Sequence, residues 1–270
     1  MRALIYSILI ILFTSCSEYA QVIKKGTVEQ KYDMAVKQYK AKDYIRALPI
    51  FEELLAYFRG KEKAEELYFY YAYCYYGLGQ FELASFHFKN FTETYFNSKH
   101  TEECYYMYAH CLYKDALPYY LEQTNTTKAI AEMQIFLNLF PNTIYRELGN
   151  EQIEALRKNL KKKAFETAML FYKIEDYRAA SLSFKNAIKD FPDIENKDYI
   201  DFMVIQSNYL YAKYSIDEKK EERLKAVFTE YAQFIKKYTA TSKYSEQVKD
   251  LNNKAIKDLE KYKKIIKFSK

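Results

Sequence analysis

The chain has 270 residues, with 42 Lys and Arg against 36 Asp and Glu and a formal net charge of +6. Five Gly and four Pro leave little material for sheet turns, hairpins or Gly-rich phosphate loops, so the composition favours a nearly all-helical protein. Thirty Tyr and nineteen Phe without a single Trp ask for a packing explanation.

The N-terminus reads as a targeting segment. Met1-Arg2 is a short basic start, and Ala3 to Phe13 is an uncharged, mostly apolar run. A membrane-spanning helix needs roughly 20 apolar residues, so this run fits the core of a secretory signal over residues 1–15. Small Thr14 and Ser15 precede the processing point. The end of the signal, Leu12-Phe13-Thr14-Ser15-Cys16, resembles a bacterial lipobox, with Phe13 where Leu is usual. The resemblance implies that Cys16 receives a diacylglyceryl group and becomes the new N-terminus; the alternative is an ordinary secretory signal with an incidental cysteine. Two or more acyl chains anchor stably where one is marginal. Residues 16–30 would then be a lipid-anchored tether, with the lipid on Cys16 as the expected covalent group and no other cofactor.

Repeats occupy residues 31–245. The tetratricopeptide pattern is a helical hairpin with aromatic, small and Pro positions at fixed places. Ala35, Asp43-Tyr44, Ala47 and Phe51 make one copy. Tyr68, Tyr71, Ala72, Tyr75, Gly79-Gln80-Phe81, Ala84, Phe88 and Phe91 make the next. A third, degenerate copy has Tyr105-Tyr106, Tyr108-Ala109 and Leu112, then Ala129, Met133, Phe136 and Pro141, across an extended connection. Ala168, Asp176-Tyr177, Ala180, Phe184, Ala187 and Pro192 form a clear fourth. Tyr209, Tyr211-Ala212, Val227, Tyr231 and Phe234 form a degenerate fifth. The predicted fold is an all-α, tetratricopeptide-like helical-hairpin solenoid of about five repeats, with alanines at the close approaches and aromatics between units.

A second pattern recurs at Ser98-Lys99-His100, Thr143-Ile144-Tyr145 and Ser242-Lys243-Tyr244. Its hydroxyls are candidate caps for the helix that follows. Glu102, Glu147 and Glu246 then occupy the positive N-terminal ends. Residues 246–270 form a Lys-rich amphipathic helix with Val248, Leu251, Ala255, Leu259, Tyr262 and Ile266 on one face. A basic patch can meet nucleic acid or anionic lipid; a solvated terminal helix is the simpler reading, and nucleic acid is not expected for a secreted lipoprotein.

Catalytic constellations are poor. His87, His100 and His110 stand in no metalloprotease or phosphate motif. His100, Cys104 and Cys111 could share one helix face as metal ligands. Cys74 and Cys111 hold equivalent places in successive repeats, as small buried core residues would. No metal site and no enzyme activity are expected.

The order of lipobox cysteine, about five repeats, closures such as "FPNTIY" and the segment from Ala155 to Asp193 resembles the BamD-type lipoproteins of the outer-membrane β-barrel assembly machinery. The resemblance implies a non-enzymatic scaffold on the periplasmic side of the outer membrane. Its C-terminal repeats would bind a periplasmic domain of the barrel-forming subunit. Its N-terminal repeats would receive the aromatic-ended signal of unfolded outer-membrane proteins. The alternative is a generic lipid-anchored repeat protein of the cell envelope with another partner.

The repeats also supply a place for such a segment. Counted from the repeated Ala, the fifth and twelfth positions of the first helices are Tyr32 and Tyr39, Phe69 and Tyr76, and Tyr106 and Tyr113; Tyr73 adds a ninth position. Residues seven apart share a helix face. Tyr32, Tyr39, Phe69, Tyr73, Tyr76, Tyr106 and Tyr113 therefore either line a groove for an extended aromatic-ended peptide or pack the seams between neighbouring first helices.

Overall fold

The computed structural model describes residues 18–238 and 241–268, with side chains to 264. Cys16 and the signal segment lie outside the described residues. Those described form helices and no strand, and two compact units divide at Arg157 and Lys158.

The first unit begins with α1 (18–25). It continues with α2 (Val28–Lys40), α3 (Tyr44–Phe58), α4 (Ala64–Gly77), α5 (Phe81–Thr94), α6 (Thr101–Lys114) and α7 (Thr124–Leu139). It closes with the start of α8 (Arg146–Lys173). The second unit holds the rest of α8, then α9 (Tyr177–Asp190), α10 (Lys197–Lys213), α11 (Asp217–Tyr238) and α12 (Ser245–Phe268). Inside each unit the helices pair as antiparallel hairpins, α2 on α3, α4 on α5, α6 on α7 and α10 on α11. This is the expected all-α hairpin architecture.

The repeated alanines are why the pairs close. Ala35, Ala47, Ala72, Ala84, Ala109, Ala129, Ala168, Ala180 and Ala212 are all fully buried at 0% exposure. A methyl at each crossing lets the backbones approach to the short end of the usual interhelical range. Large rings fill the layers between: Phe51, Phe88, Phe91 and Phe136 in the first unit and Phe184 and Phe234 in the second are buried. Burying each stabilises by roughly 1.5–3 kcal/mol over leaving it in water. At Gly77 even a methyl is too large, because an added Cβ would lie 2.2 Å from the Tyr44 ring.

The turns inside the hairpins share one device. Lys42, Gly79 and Glu175 each have positive φ, at 60°, 73° and 64°, one residue before the second helix's cap. Only Gly79 takes that conformation without strain. Asp43 and Asp176 then accept from the backbone N–H of Arg46 and Ala179, at 3.2 and 3.0 Å.

The hydroxyls of the second sequence pattern do something other than cap. The residue at the cap of α6 is His100, which makes no side-chain cap bond. Ser98, Thr143 and Ser242 instead accept the backbone N–H two residues on, from His100, Tyr145 and Tyr244 (3.0, 3.2 and 3.2 Å). Those three rings then stack on the first helix of the preceding hairpin. His100 lies on Phe69 at 4.1 Å, Tyr145 on Tyr106 at 4.1 Å and Tyr244 on Phe202 at 5.2 Å. The expected caps are therefore clamps: the hydroxyl sets the turn, and the turn aims the ring. Glu102, Glu147 and Glu246 do lie in first turns, as the helix dipole favours.

Thr143→Ala should cost about 1 kcal/mol of first-unit stability, the worth of one hydrogen bond. Tyr145→Ala should cost more, about 2 kcal/mol, because the half-buried ring gives up its stacking on Tyr106. Denaturant melts of the two variants measure the difference.

Candidate functional site

The first helices of the first unit, α2, α4 and α6, carry all seven aromatics of the expected groove. Phe69 and Tyr106 are buried, at 8% and 4% exposure. Tyr32, Tyr39, Tyr73, Tyr76 and Tyr113 are half-buried, each with part of its surface open to solvent. The rings thus stand along the seams between successive first helices, and five of them also show at the surface.

Contacts of these rings cross from one first helix to the next, beside others within a helix or to its hairpin partner. Between α2 and α4 the Tyr32 hydroxyl donates to Glu66 Oε2 at 3.1 Å, and the Tyr39 ring lies 4.8 Å from that of Tyr70. Between α4 and α6 the Tyr73 hydroxyl donates to the Glu103 carboxylate, while Tyr76 meets His110 Nε2 at 3.2 Å. Burial first, and the Glu66 bond second, push the Tyr32 hydroxyl up to about 12. Burial and Glu103 raise that of Tyr73 further. Both therefore remain protonated donors at any physiological pH.

His110 organises the seam between α6 and α8. Gln152 Nε2 donates to the Tyr106 hydroxyl at 3.1 Å, which leaves Gln152 Oε1 to accept from His110 Nδ1 at 3.2 Å. With its proton on Nδ1, the imidazole accepts from the Tyr76 hydroxyl through Nε2. The network is complete with His110 neutral. Burial accordingly lowers its pKa, with nearby Lys114 adding to the effect and the Gln152 bond opposing it.

Sequence reasoning missed Glu66, Tyr70, Glu103, Tyr145 and Gln152 as partners of these rings. The signal for Tyr145 was present, since it stands at the same place of the recurring pattern as His100. Nothing in the spacing marked Gln152, which reaches the network only through the packing of α8 on α6.

The remaining candidates behave as core. Cys74, Cys104 and Cys111 are free and buried, and burial pushes the Cys74 and Cys111 thiols up to about 12. Among the described residues no group of three or more His, Cys, Asp or Glu is placed to hold a metal ion. None of the described helices is long and apolar enough to cross a membrane.

A protein-family model described as "YfiO: Outer membrane lipoprotein" matches residues 24–195. The chain belongs to this family. The matched residues run from α1 to the loop after α9, so they take in all seven aromatics of α2, α4 and α6. None of the curated proteins compared with it matches the chain. Among solved structures it is similar to the crystal structure of the P58(IPK) TPR domain, with a TM-score of 0.41 and 14% identity. That match covers 90% of this chain and 68% of the other.

The His110 network makes a prediction about pH. His110 and His87 are both harder to protonate folded than unfolded, because burial disfavours the charged ring. Each takes up its proton on unfolding, so the stability they confer is complete above about 6.5, their ordinary value, and falls as pH drops below it. Thermal melts should weaken between pH 7 and pH 5. The double variant His87→Gln, His110→Gln should lose most of that slope.

Proposed function

We propose that this chain is a non-enzymatic, lipid-anchored scaffold of outer-membrane β-barrel assembly, held on the periplasmic side. Its first unit receives unfolded barrel segments along α2, α4 and α6. Its second unit docks a periplasmic domain of the barrel-forming subunit, with Ala164 to Asp193 and the last hairpin as the first place to look.

Membership of an outer-membrane lipoprotein family supports the location. The observation that carries the binding reading is the row of five half-buried tyrosines on successive first helices. Half-burial serves both purposes weighed for these rings: one edge seals the seam and the other offers an apolar surface. A ring of this kind suits an aromatic chain end, which gains about 0.5–1.5 kcal/mol per aromatic pair beyond buried area.

The variant Tyr39→Ala, Tyr73→Ala, Tyr76→Ala should weaken binding of an extended, aromatic-ended barrel peptide at least ten-fold, with helicity by circular dichroism retained. Melting of the triple variant would assign those rings to the core. The companion Tyr76→Phe keeps the ring and should keep binding. Isolation in mild detergent should bring down a barrel protein bearing several periplasmic domains; a different stable partner in its place would overturn the assembly reading.

The anchor has its own test. Fatty-acid label should enter the wild-type chain and be absent from Cys16→Ala, which should also leave the membrane fraction.

A further inference from the structure

The second unit ends in a basic cleft where α12 meets the last hairpin, beyond the residues matched by the family. Lys213 from α10, Lys220 from α11 and Lys261 from α12 line one cleft of about 260 Å³. Ala212 and Leu224 give it an apolar floor. Asp217 pairs with Lys220 at 3.5 Å and Asp258 accepts the Tyr209 hydroxyl at 3.0 Å, so three lysines against two aspartates leave the cleft a formal surplus of one positive charge. The Tyr262 hydroxyl donates to the Asp217 backbone carbonyl at 2.6 Å and fixes α12 against the start of α11. Lys213 and Lys261 have no carboxylate at ion-pair distance among the described residues.

The charge extends from the cleft along the helix. Lys254, Lys257, Lys261 and Lys264 recur at steps of three or four and are all exposed, so they form one stripe on α12, with Lys254 held by Asp250 at 2.6 Å. From Lys257 to Lys270 the sequence carries six Lys against Asp258 and Glu260. A stable interface between proteins would be expected to centre on buried aromatic or Arg anchors. Here there are flexible, well-hydrated ammonium groups over a small apolar floor. The cleft is also smaller than the roughly 300–1,000 Å³ typical of drug-sized ligands. Both features suit a phosphodiester headgroup with the first carbons of its glycerol.

We propose that this end of the second unit binds the acidic headgroups of phospholipids in the membrane that carries the protein. A basic patch is an established second membrane signal for an acylated chain, and each lysine near an anionic surface strengthens partition roughly five-fold. The site would orient the second unit against the bilayer. It does not depend on the peptide-binding reading, which concerns α2, α4 and α6.

The test uses the full chain carrying Cys16→Ser, so that no acyl chain contributes. Co-sedimentation is compared on vesicles of phosphatidylcholine alone and with one-third phosphatidylglycerol; the neutral vesicles account for any other apolar segment. Partition should favour the anionic vesicles at least ten-fold and fall in high salt. Lys213→Gln, Lys220→Gln, Lys261→Gln together should remove that preference, and the corresponding Arg variant should keep it. A control with Lys99→Gln, Lys128→Gln, Lys189→Gln should bind as the parent does. Equal loss in the control, or no preference for phosphatidylglycerol, overturns the proposal.

Discussion

The close approach of paired helices at alanine is the constraint on which the rest depends. Ala35, on the helix that pairs with α3, and Ala72, on the helix that pairs with α5, are fully buried. Gly77 shows a like constraint between successive hairpins, where the Tyr44 ring of α3 already fills the space a methyl on α4 would need. Around these crossings and between successive hairpins the volume is filled by rings. Rings bury a large area with few rotatable bonds, which suits a chain that uses so many of them.

Tyrosine rather than phenylalanine dominates these layers because the seams end at solvent. A hydroxyl at the rim can keep a partner while the ring stays dry. Tyr32, Tyr73 and Tyr76 reach Glu66, Glu103 and His110 on the next first helix. The partner that a buried hydroxyl needs is thus also a cross-link between repeats. The same economy explains the clamp, in which Thr143 spends its hydroxyl on the N–H of Tyr145 and leaves that ring to stack on Tyr106.

Hairpin architecture was legible in the sequence because it rests on short-range spacing: Ala to aromatic intervals and turn residues fix each hairpin locally. The shared helix face of six of the aromatics was legible for the same reason, since heptad spacing sets it whatever surrounds them, and Tyr73 lies four residues from Phe69 beside it. Three things were not. The division at Arg157 falls inside the unbroken helix α8 and leaves no turn residue to mark it. Ser98, Thr143 and Ser242 have the residue type of caps but sit two residues too early, a difference only backbone geometry decides. Gln152 joins the His110 network from 42 residues away, and pairing at that range leaves no local pattern.

The commitments of the seam also bear on what an incoming chain could read there. Because Glu66, Glu103 and His110 already hold the hydroxyls of Tyr32, Tyr73 and Tyr76, a bound segment would meet ring edges more than free donors. Sequence-specific hydrogen bonding is then a minor part of recognition, and apolar and aromatic contact is the major part. Single ring contacts are worth only about 0.5–1.5 kcal/mol, so useful affinity needs several rings engaged at once along α2, α4 and α6. An extended segment satisfies that condition and a compact one does not. Selection for unfolded over folded chains would follow from the spacing of the rings alone, without any element of the first unit having to move.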